Sequence, residues 1–245
     1  MEINLSDAKK AGYGYLQDKL AFNLMPHWHK SYVSTGSVHH SLVQNGVNID
    51  IYSQAYWPGD SMGDHLEFAL KYDGVNLNYL AATFGALKEA YILGYIQSKP
   101  TGKYTRRIWF FYEALMKKEL PIPNLTSGNY TEALEPEKYF TIIDGSRSPR
   151  HRIINNMLGG IRFCPIVRRT EKLQKMETID LKKRCEDVVV CYPPELLRRS
   201  LSFLYNKETK SSFQLEHIKT NASRTENFMA LLQKSCRSAN SNKAM

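Results

Sequence analysis

The sequence predicts a mainly α-helical protein, a multi-helix bundle with one small β-hairpin near residues 38–52. Helices are indicated because apolar residues recur at helical spacing in residues 62–70, in residues 105–118 and again after Thr170. The hairpin is indicated by Asn45-Gly46, which suits a two-residue type I′ turn because both residue types tolerate a positive φ.

The first half of the chain contains a succession of short predicted elements. Residues 6–20 form a weak helix interrupted by glycines, and the aromatic stretch after them is expected to be extended. Asp60-Ser61 supplies a capping side chain for the next helix. Residues 76–97 are apolar on most sides and are expected to form two packed helices, before a further helix at 105–118.

The pattern predicts two domains. Residues 1–170 are expected to form a helical and hairpin domain, in which residues 119–170 are irregular and rich in Pro and Arg. Residues 171–245 are expected to be helical, with the apolar residues from Leu173 to Leu181 in one helix. Pro193-Pro194 opens another helix at its first turn, where a missing N–H costs nothing.

Positive charge is concentrated in the second part of the chain. The net charge of +9 results from −2 in residues 1–100 and +11 in residues 101–245. A positive field of this kind attracts an acidic protein face, nucleic acid or nucleotide phosphates.

An arginine-rich segment lies within this positive part. Residues 145–170 contain six Arg and no acidic residue, and Arg favours bidentate contacts with carboxylate or phosphate. The candidate anion-binding residues are Arg147, Arg150, Arg152, Arg168 and Arg169. The other interpretation is that these arginines pair with acidic residues of the chain or of a neighbour. We favour it, because no recognisable nucleic-acid-binding module accompanies the arginines.

Few residues point to metal binding or to catalysis. His27-x-His29 and His39-His40 have no third ligand at a suitable spacing, so no metal site is predicted. The four cysteines are too irregularly spaced for a disulfide framework or a CxxC site, which favours a cytoplasmic location. No apolar stretch approaches the roughly 20 residues that span a bilayer, so no membrane partner is expected.

The segment Tyr205–Leu232, YNKETKSSFQLEHIKTNASRTENFMALL, resembles the helical entry into proteins of the Fic (filamentation induced by cAMP) family. The inhibitory helix of that family carries the motif (S/T)xxxE(G/N). Ser212 and Glu216 match its Ser and Glu, in a helix expected at about residues 209–217, and His217 stands where the family has Gly or Asn. Upstream, the segments YWPGDSMGDHLEFALKYDG, SKPTGKYTRRIWFFYE, FCPIVRRTEKL and YPPELLRRSLSFLY are similar to the N-terminal region of a long Fic subfamily.

The resemblance implies a role in the transfer of AMP from ATP to a protein hydroxyl group. In the family, the inhibitory Glu pairs with a catalytic-loop Arg that otherwise holds the γ-phosphate of ATP, so Ser212 and Glu216 are the expected regulatory residues. The family's HPFxxGNGR motif is missing, because none of the seven His residues precedes Pro and no GNG occurs. We therefore expect no enzymatic activity and no cofactor in this chain, with ATP and Mg²⁺ required only by a Fic core.

The sequence thus predicts the N-terminal, autoinhibitory portion of a bacterial Fic-type protein, as a fragment or as the product of a shortened gene. The expected partners are a Fic catalytic core in cis or in trans, an unidentified target protein and a second copy of the chain. The alternative hypothesis is a basic nucleic-acid-binding or autoregulatory module that uses residues 147–169.

Overall fold

The computed structural model describes residues 8–36, 39–44, 46–160, 163–215 and 227. The chain divides into two units, residues 1–170 and residues 171–245, and each is described by itself. Of the described residues, 48% are helical and 15% lie in strands or bridges. None of the described helices combines the length and the apolar composition that a membrane crossing requires.

A four-stranded mixed sheet belongs to the first unit. Its strands are β1 (Lys9–Ala11), β2 (His29–Val33), β3 (His40–Gln44) and β4 (Val47–Tyr52), in the spatial order β1-β2-β4-β3. β2 and β4 are parallel, whereas the β1–β2 and β3–β4 pairs are antiparallel. The hairpin expected near residues 38–52 is the β3–β4 pair, with Gly46 at a φ of 76° in its turn. Asn45 lies outside the described residues.

Five helices complete most of the first unit. They are α1 (Gly12–Leu20), α2 (Met62–Phe68), α3 (Leu77–Ala86), α4 (Glu89–Ser98) and α5 (Lys103–Met116). The Ser61 hydroxyl accepts a hydrogen bond from the Asp64 N–H and caps α2, and a π-helical turn at Ala69–Asp73 continues this helix. α5 lies at the centre of the hydrophobic core, where Ile108 and Trp109 are fully buried.

A second, three-stranded sheet lies in the segment that was expected to be irregular. It consists of β5 (Thr131–Glu132), β6 (Ser146–Ser148) and β7 (Ile153–Asn155), in the order β5-β7-β6. β5 is parallel to β7, and β6 is antiparallel to it.

The prediction of a mainly helical bundle with one hairpin is therefore wrong, because two mixed sheets make this an α/β protein. β1, β5, β6 and β7 contain only two or three residues, which is too short for an alternating pattern to be visible in the sequence. The parallel pairs join strands that are not consecutive along the chain, and such pairs depend on tertiary contacts.

The second unit is helical in its described part. Its helices are α6 (Glu171–Glu177), α7 (Leu181–Val190) and α8 (Pro194–Leu215). The residues from Leu173 to Leu181 do not share one helix, because Asp180 accepts a hydrogen bond from the Lys183 N–H and caps α7. Residues 209–215 are the last turns of the 22-residue α8 and not a separate short helix. Residues 216 and 217 lie outside the described part of the chain.

Candidate functional site

The candidate site is a cleft of about 620 Å³ in the first unit, which we call the sheet cleft. Its walls come from β2, β3 and β4, from the turn at Tyr72–Gly74 and from residues 137–139 and 168–170. All of these residues belong to the unit formed by residues 1–170.

The face of the four-stranded sheet that lines the cleft carries polar side chains. The register pairs His29 with Asn48, and it pairs Asp50 with both Ser31 and Ser41. Because directly opposed residues of neighbouring strands point to the same side, these five residues share one face. His29 and Ser31 are almost fully buried. Asn48 and Asp50 are half-buried and Ser41 is exposed, so this polar face is open to the cleft.

A carboxylate and an imidazole meet on this face. Nε2 of His29 lies 3.0 Å from Oδ2 of Asp50, and the Ser41 hydroxyl donates to Oδ1 at 2.5 Å. The contact between His29 and Asp50 is an ion pair only when the imidazole is protonated. Burial lowers the pKa of His29, and the nearby Asp50 carboxylate only partly opposes this effect.

A second carboxyl group, that of Asp73, is fully buried beside the cleft. Its Oδ1 accepts a hydrogen bond from the Ser31 hydroxyl at 2.5 Å, and its Oδ2 accepts one from the Tyr13 N–H at 2.9 Å. Gly12 has a φ of 58°, and a Cβ at this position would collide with the Asp73 carboxyl group. Burial raises the pKa of Asp73 to about 7. The group therefore changes its charge near neutral pH.

Burial favours the neutral form of two other histidines, although each of them also lies within hydrogen-bond distance of a backbone carbonyl oxygen. His27 lies 2.9 Å from the Asp73 carbonyl oxygen through Nε2 and 3.0 Å from the Asn76 side-chain amide through Nδ1. His65 accepts from the Gly12 N–H through Nδ1 and faces the Gly59 carbonyl through Nε2. Burial lowers the pKa of each to about 4. The described residues contain no group of three or more His, Cys, Asp or Glu side chains that could hold a metal ion.

Two of the candidate anion-binding arginines bind acceptors within the chain. Arg150 donates to the Glu113 carboxylate through Nε and Nη2, at 3.0 and 2.9 Å, and to the Ile122 carbonyl through Nη1. Arg152 donates to the Thr126 carbonyl at 2.7 Å. Arg150 thus pairs with an acidic residue of the chain, as the second interpretation expects, whereas Arg152 binds backbone carbonyl oxygens.

The other three candidates lie in two different places. Arg147 is exposed, and its guanidinium lies 5.5 Å from the centre of the Tyr130 ring. Arg168 and Arg169 line the sheet cleft, and Arg169 donates to the Pro136 carbonyl at 2.8 Å. The structure therefore does not gather the five arginines into one site.

The two candidate regulatory residues are only partly described. Ser212 is exposed near the C-terminal end of α8. Glu216 lies outside the described residues.

Sequence reasoning missed the polar residues of the sheet cleft. The signal was present in β4, where Asn48 and Asp50 alternate with Val47, Ile49 and Ile51. Alternation shows that the two faces of a strand differ, but it does not show that the polar face lines a cleft.

Neither a family model nor a curated protein nor a solved structure matches the chain.

Proposed function

We propose that the chain is the regulatory, autoinhibitory portion of a Fic-type protein that transfers AMP from ATP to hydroxyl groups of a target protein. The observation that carries this proposal is the resemblance of Tyr205–Leu232, with Ser212 and Glu216 at the family's spacing. Residues four apart lie about one turn apart on one face of a helix, and α8 continues without interruption to Leu215. The exposed position of Ser212 on this helix supports the proposal.

Inhibition would act through competition for one cation. The Glu216 carboxylate pairs with an Arg of the Fic core that otherwise holds the γ-phosphate of ATP. A charge-assisted pair of this kind is worth about 1.5–3 kcal/mol. Its loss therefore corresponds to roughly one to two orders of magnitude in the rate of AMP transfer.

The chemistry itself belongs to the partner core. The chain lacks HPFxxGNGR, so the general base and the phosphate-binding turn must come from a Fic core, which binds ATP and Mg²⁺. We expect the purified chain to transfer no AMP from labelled ATP to itself or to lysate proteins. Metal-dependent labelling by the chain alone would contradict this part of the proposal.

The test supplies the chain, in cis or in trans, to a Fic core that carries HPFxxGNGR but no inhibitory helix. The wild-type chain should reduce AMP transfer, and Glu216→Gln and Glu216→Gly should restore it roughly ten- to hundredfold. Ser212→Ala should act in the same direction but more weakly, because it removes only a neutral partner. Glu208→Gln is the matched control, since it makes the same charge change at an exposed position of α8.

The two substitutions of Glu216 separate charge from helix stability. Gly weakens a helix by about 1 kcal/mol, whereas Gln keeps the shape and removes only the charge. AMP transfer at the wild-type level in both variants, with ATP affinity unchanged, would show that Glu216 is not inhibitory.

The nucleic-acid alternative has less support. Arg150, Arg152 and Arg169 donate to acceptors of the chain, which leaves fewer donors for phosphate groups. Binding to unrelated duplexes that weakens steeply with salt would favour the alternative.

A further inference from the structure

Arg168 is held in place in the sheet cleft. Its guanidinium lies 3.6 Å from the centre of the Trp28 ring, a distance at which the planar group stacks on the indole. A backbone bridge joins Arg168 to Tyr139, and the Phe140 N–H donates to the Val167 carbonyl next to it. Stacking and backbone pairing together limit the positions that this guanidinium can adopt.

The guanidinium of Arg168 differs from those of Arg150 and Arg152 in its hydrogen bonding. Within the described part of the chain, no carboxylate or carbonyl oxygen accepts a hydrogen bond from Arg168. Its side chain is only half-exposed, and burial lowers its pKa, although a guanidinium remains charged at neutral pH. A half-buried guanidinium without an acceptor is stabilised by a ligand that offers two oxygens to its parallel N–H groups.

We propose that the sheet cleft binds a small organic oxyanion, a carboxylate or a phosphate monoester, and that Arg168 holds its oxyanion group. The cleft volume of about 620 Å³ falls within the range of about 300–1,000 Å³ that is usual for small-molecule sites. Every residue of this argument lies within residues 1–170, so the proposal is independent of the inhibitory role of α8.

The other side chains of the cleft restrict the ligand further. Asn48 and Ser41 line the wall formed by β3 and β4 and offer neutral polar groups. Lys138 and Arg169 line the cleft as well, but Lys138 pairs with Glu135 and Arg169 donates to the Pro136 carbonyl. Asp50 and Glu137 also line the cleft, and their negative charges oppose a ligand with several anionic groups. A molecule with one oxyanion group and a neutral body therefore fits the cleft better than a polyphosphate.

Trp28 provides the readout for the test because it stacks directly on Arg168. The full chain is titrated with phenyl phosphate, with benzoate and with the neutral benzyl alcohol, and the tryptophan emission is recorded. At least one oxyanion should change the emission saturably, and benzyl alcohol should not. Trp28→Phe should abolish the response, whereas Trp57→Phe, outside the cleft, should keep it.

Variants of Arg168 test its role directly. Arg168→Gln should weaken binding at least about tenfold, and Arg168→Lys should weaken it less, because Lys keeps the charge but loses the planar fork. Arg147→Gln is the matched control, since it removes the same charge from an exposed arginine outside the cleft. Asn48→Leu fills the cleft without changing its charge and should also weaken binding, which provides a second test if Arg168→Gln does not fold.

The two ligand classes give different outcomes. Saturation by phenyl phosphate alone assigns a phosphate monoester, saturation by benzoate alone assigns a carboxylate, and saturation by both assigns a general oxyanion site. No saturation by either probe at millimolar concentration would overturn the proposal. Equal losses of affinity in Arg168→Gln and Arg147→Gln would also overturn it, since nonspecific charge attraction would then explain the binding.

Discussion

The Glu113 carboxylate forms a two-pronged ion pair with the Arg150 guanidinium, with Nη2 to Oε1 at 2.9 Å and Nε to Oε2 at 3.0 Å. The same carboxylate accepts hydrogen bonds from the Trp109 indole N–H and from the Leu120 N–H. Nε2 of His151 lies 2.9 Å from Oε2. Glu113 therefore connects α5 to the segments that contain Leu120 and Arg150, and its carboxylate is the counter-charge of Arg150.

We expect Glu113→Gln to lower the free energy of unfolding by about 3 kcal/mol, because it leaves the half-buried Arg150 without its counter-charge. Urea unfolding at pH 7 measures this change. Glu119→Gln removes an exposed carboxylate nearby and should change stability by less than about 0.5 kcal/mol. A loss in Glu113→Gln no larger than that of the control would show that the ion pair does not stabilise the fold.

Asp73 should make stability depend on pH in a defined direction. Its pKa is about 7 in the folded protein and about 3.9 when unfolded, so the folded state binds more protons between these values. The contribution of Asp73 to the free energy of unfolding is complete below about pH 4 and is lost as the pH rises through about 7. Between these values the free energy of unfolding falls by up to about 1.4 kcal/mol per pH unit. Asp73→Asn cannot ionise and should gain stability relative to wild type as the pH rises.

Unfolding curves of both proteins from pH 5 to pH 8 measure this difference. The buried His27 and His65, whose pKa values are lowered to about 4, make stability rise with pH up to about 6.5, but they do so in both proteins. Asp18→Asn at the surface is the control and should follow wild type. Parallel pH profiles for wild type and Asp73→Asn would contradict the raised pKa.

The close approach of α2 to Tyr95 should make position 63 intolerant of a side chain. A Cβ on Gly63 would collide with the Tyr95 ring. Gly63→Ala should therefore cost about 1–3 kcal/mol, although Ala normally stabilises a helix. Gly94→Ala is the matched control, because nothing lies within 4 Å of its Cβ position in α4, and it should stabilise by up to about 1 kcal/mol.

A double-mutant cycle with Tyr95→Ala identifies the cause of this loss. If the ring is the obstacle, Gly63→Ala should cost much less in the Tyr95→Ala background, as measured by thermal unfolding. The same cost in both backgrounds would place the strain elsewhere.

The longer helices could be predicted from local pattern. The helix expected at residues 105–118 is α5 (Lys103–Met116), and the two helices expected within residues 76–97 are α3 and α4. Their apolar residues recur at a period of 3.6, which any chain with one buried helix face must show. The β3–β4 hairpin was equally local, because strand alternation and the Asn-Gly turn lie within a few residues.

The sheet cleft could not be predicted in this way. It depends on the parallel pairing of β2 with β4, which puts His29 opposite Asn48 and Ser31 opposite Asp50. It also depends on Arg168, which reaches Trp28 from 140 residues away in the sequence. The hydrophobic periodicity of one segment carries no information about contacts between residues so far apart in the sequence.

The sequence by itself determined the helical periods, the hairpin turn and the uneven distribution of charge. These properties are local, since each follows from residue types within about one element. Only the tertiary structure decided that the polar side of β4 lines a cleft, that Arg150 pairs with Glu113, and that Arg168 lies over the Trp28 ring inside this cleft. The reason is physical: burial, pKa and ion pairing depend on which distant segments exclude water from a side chain.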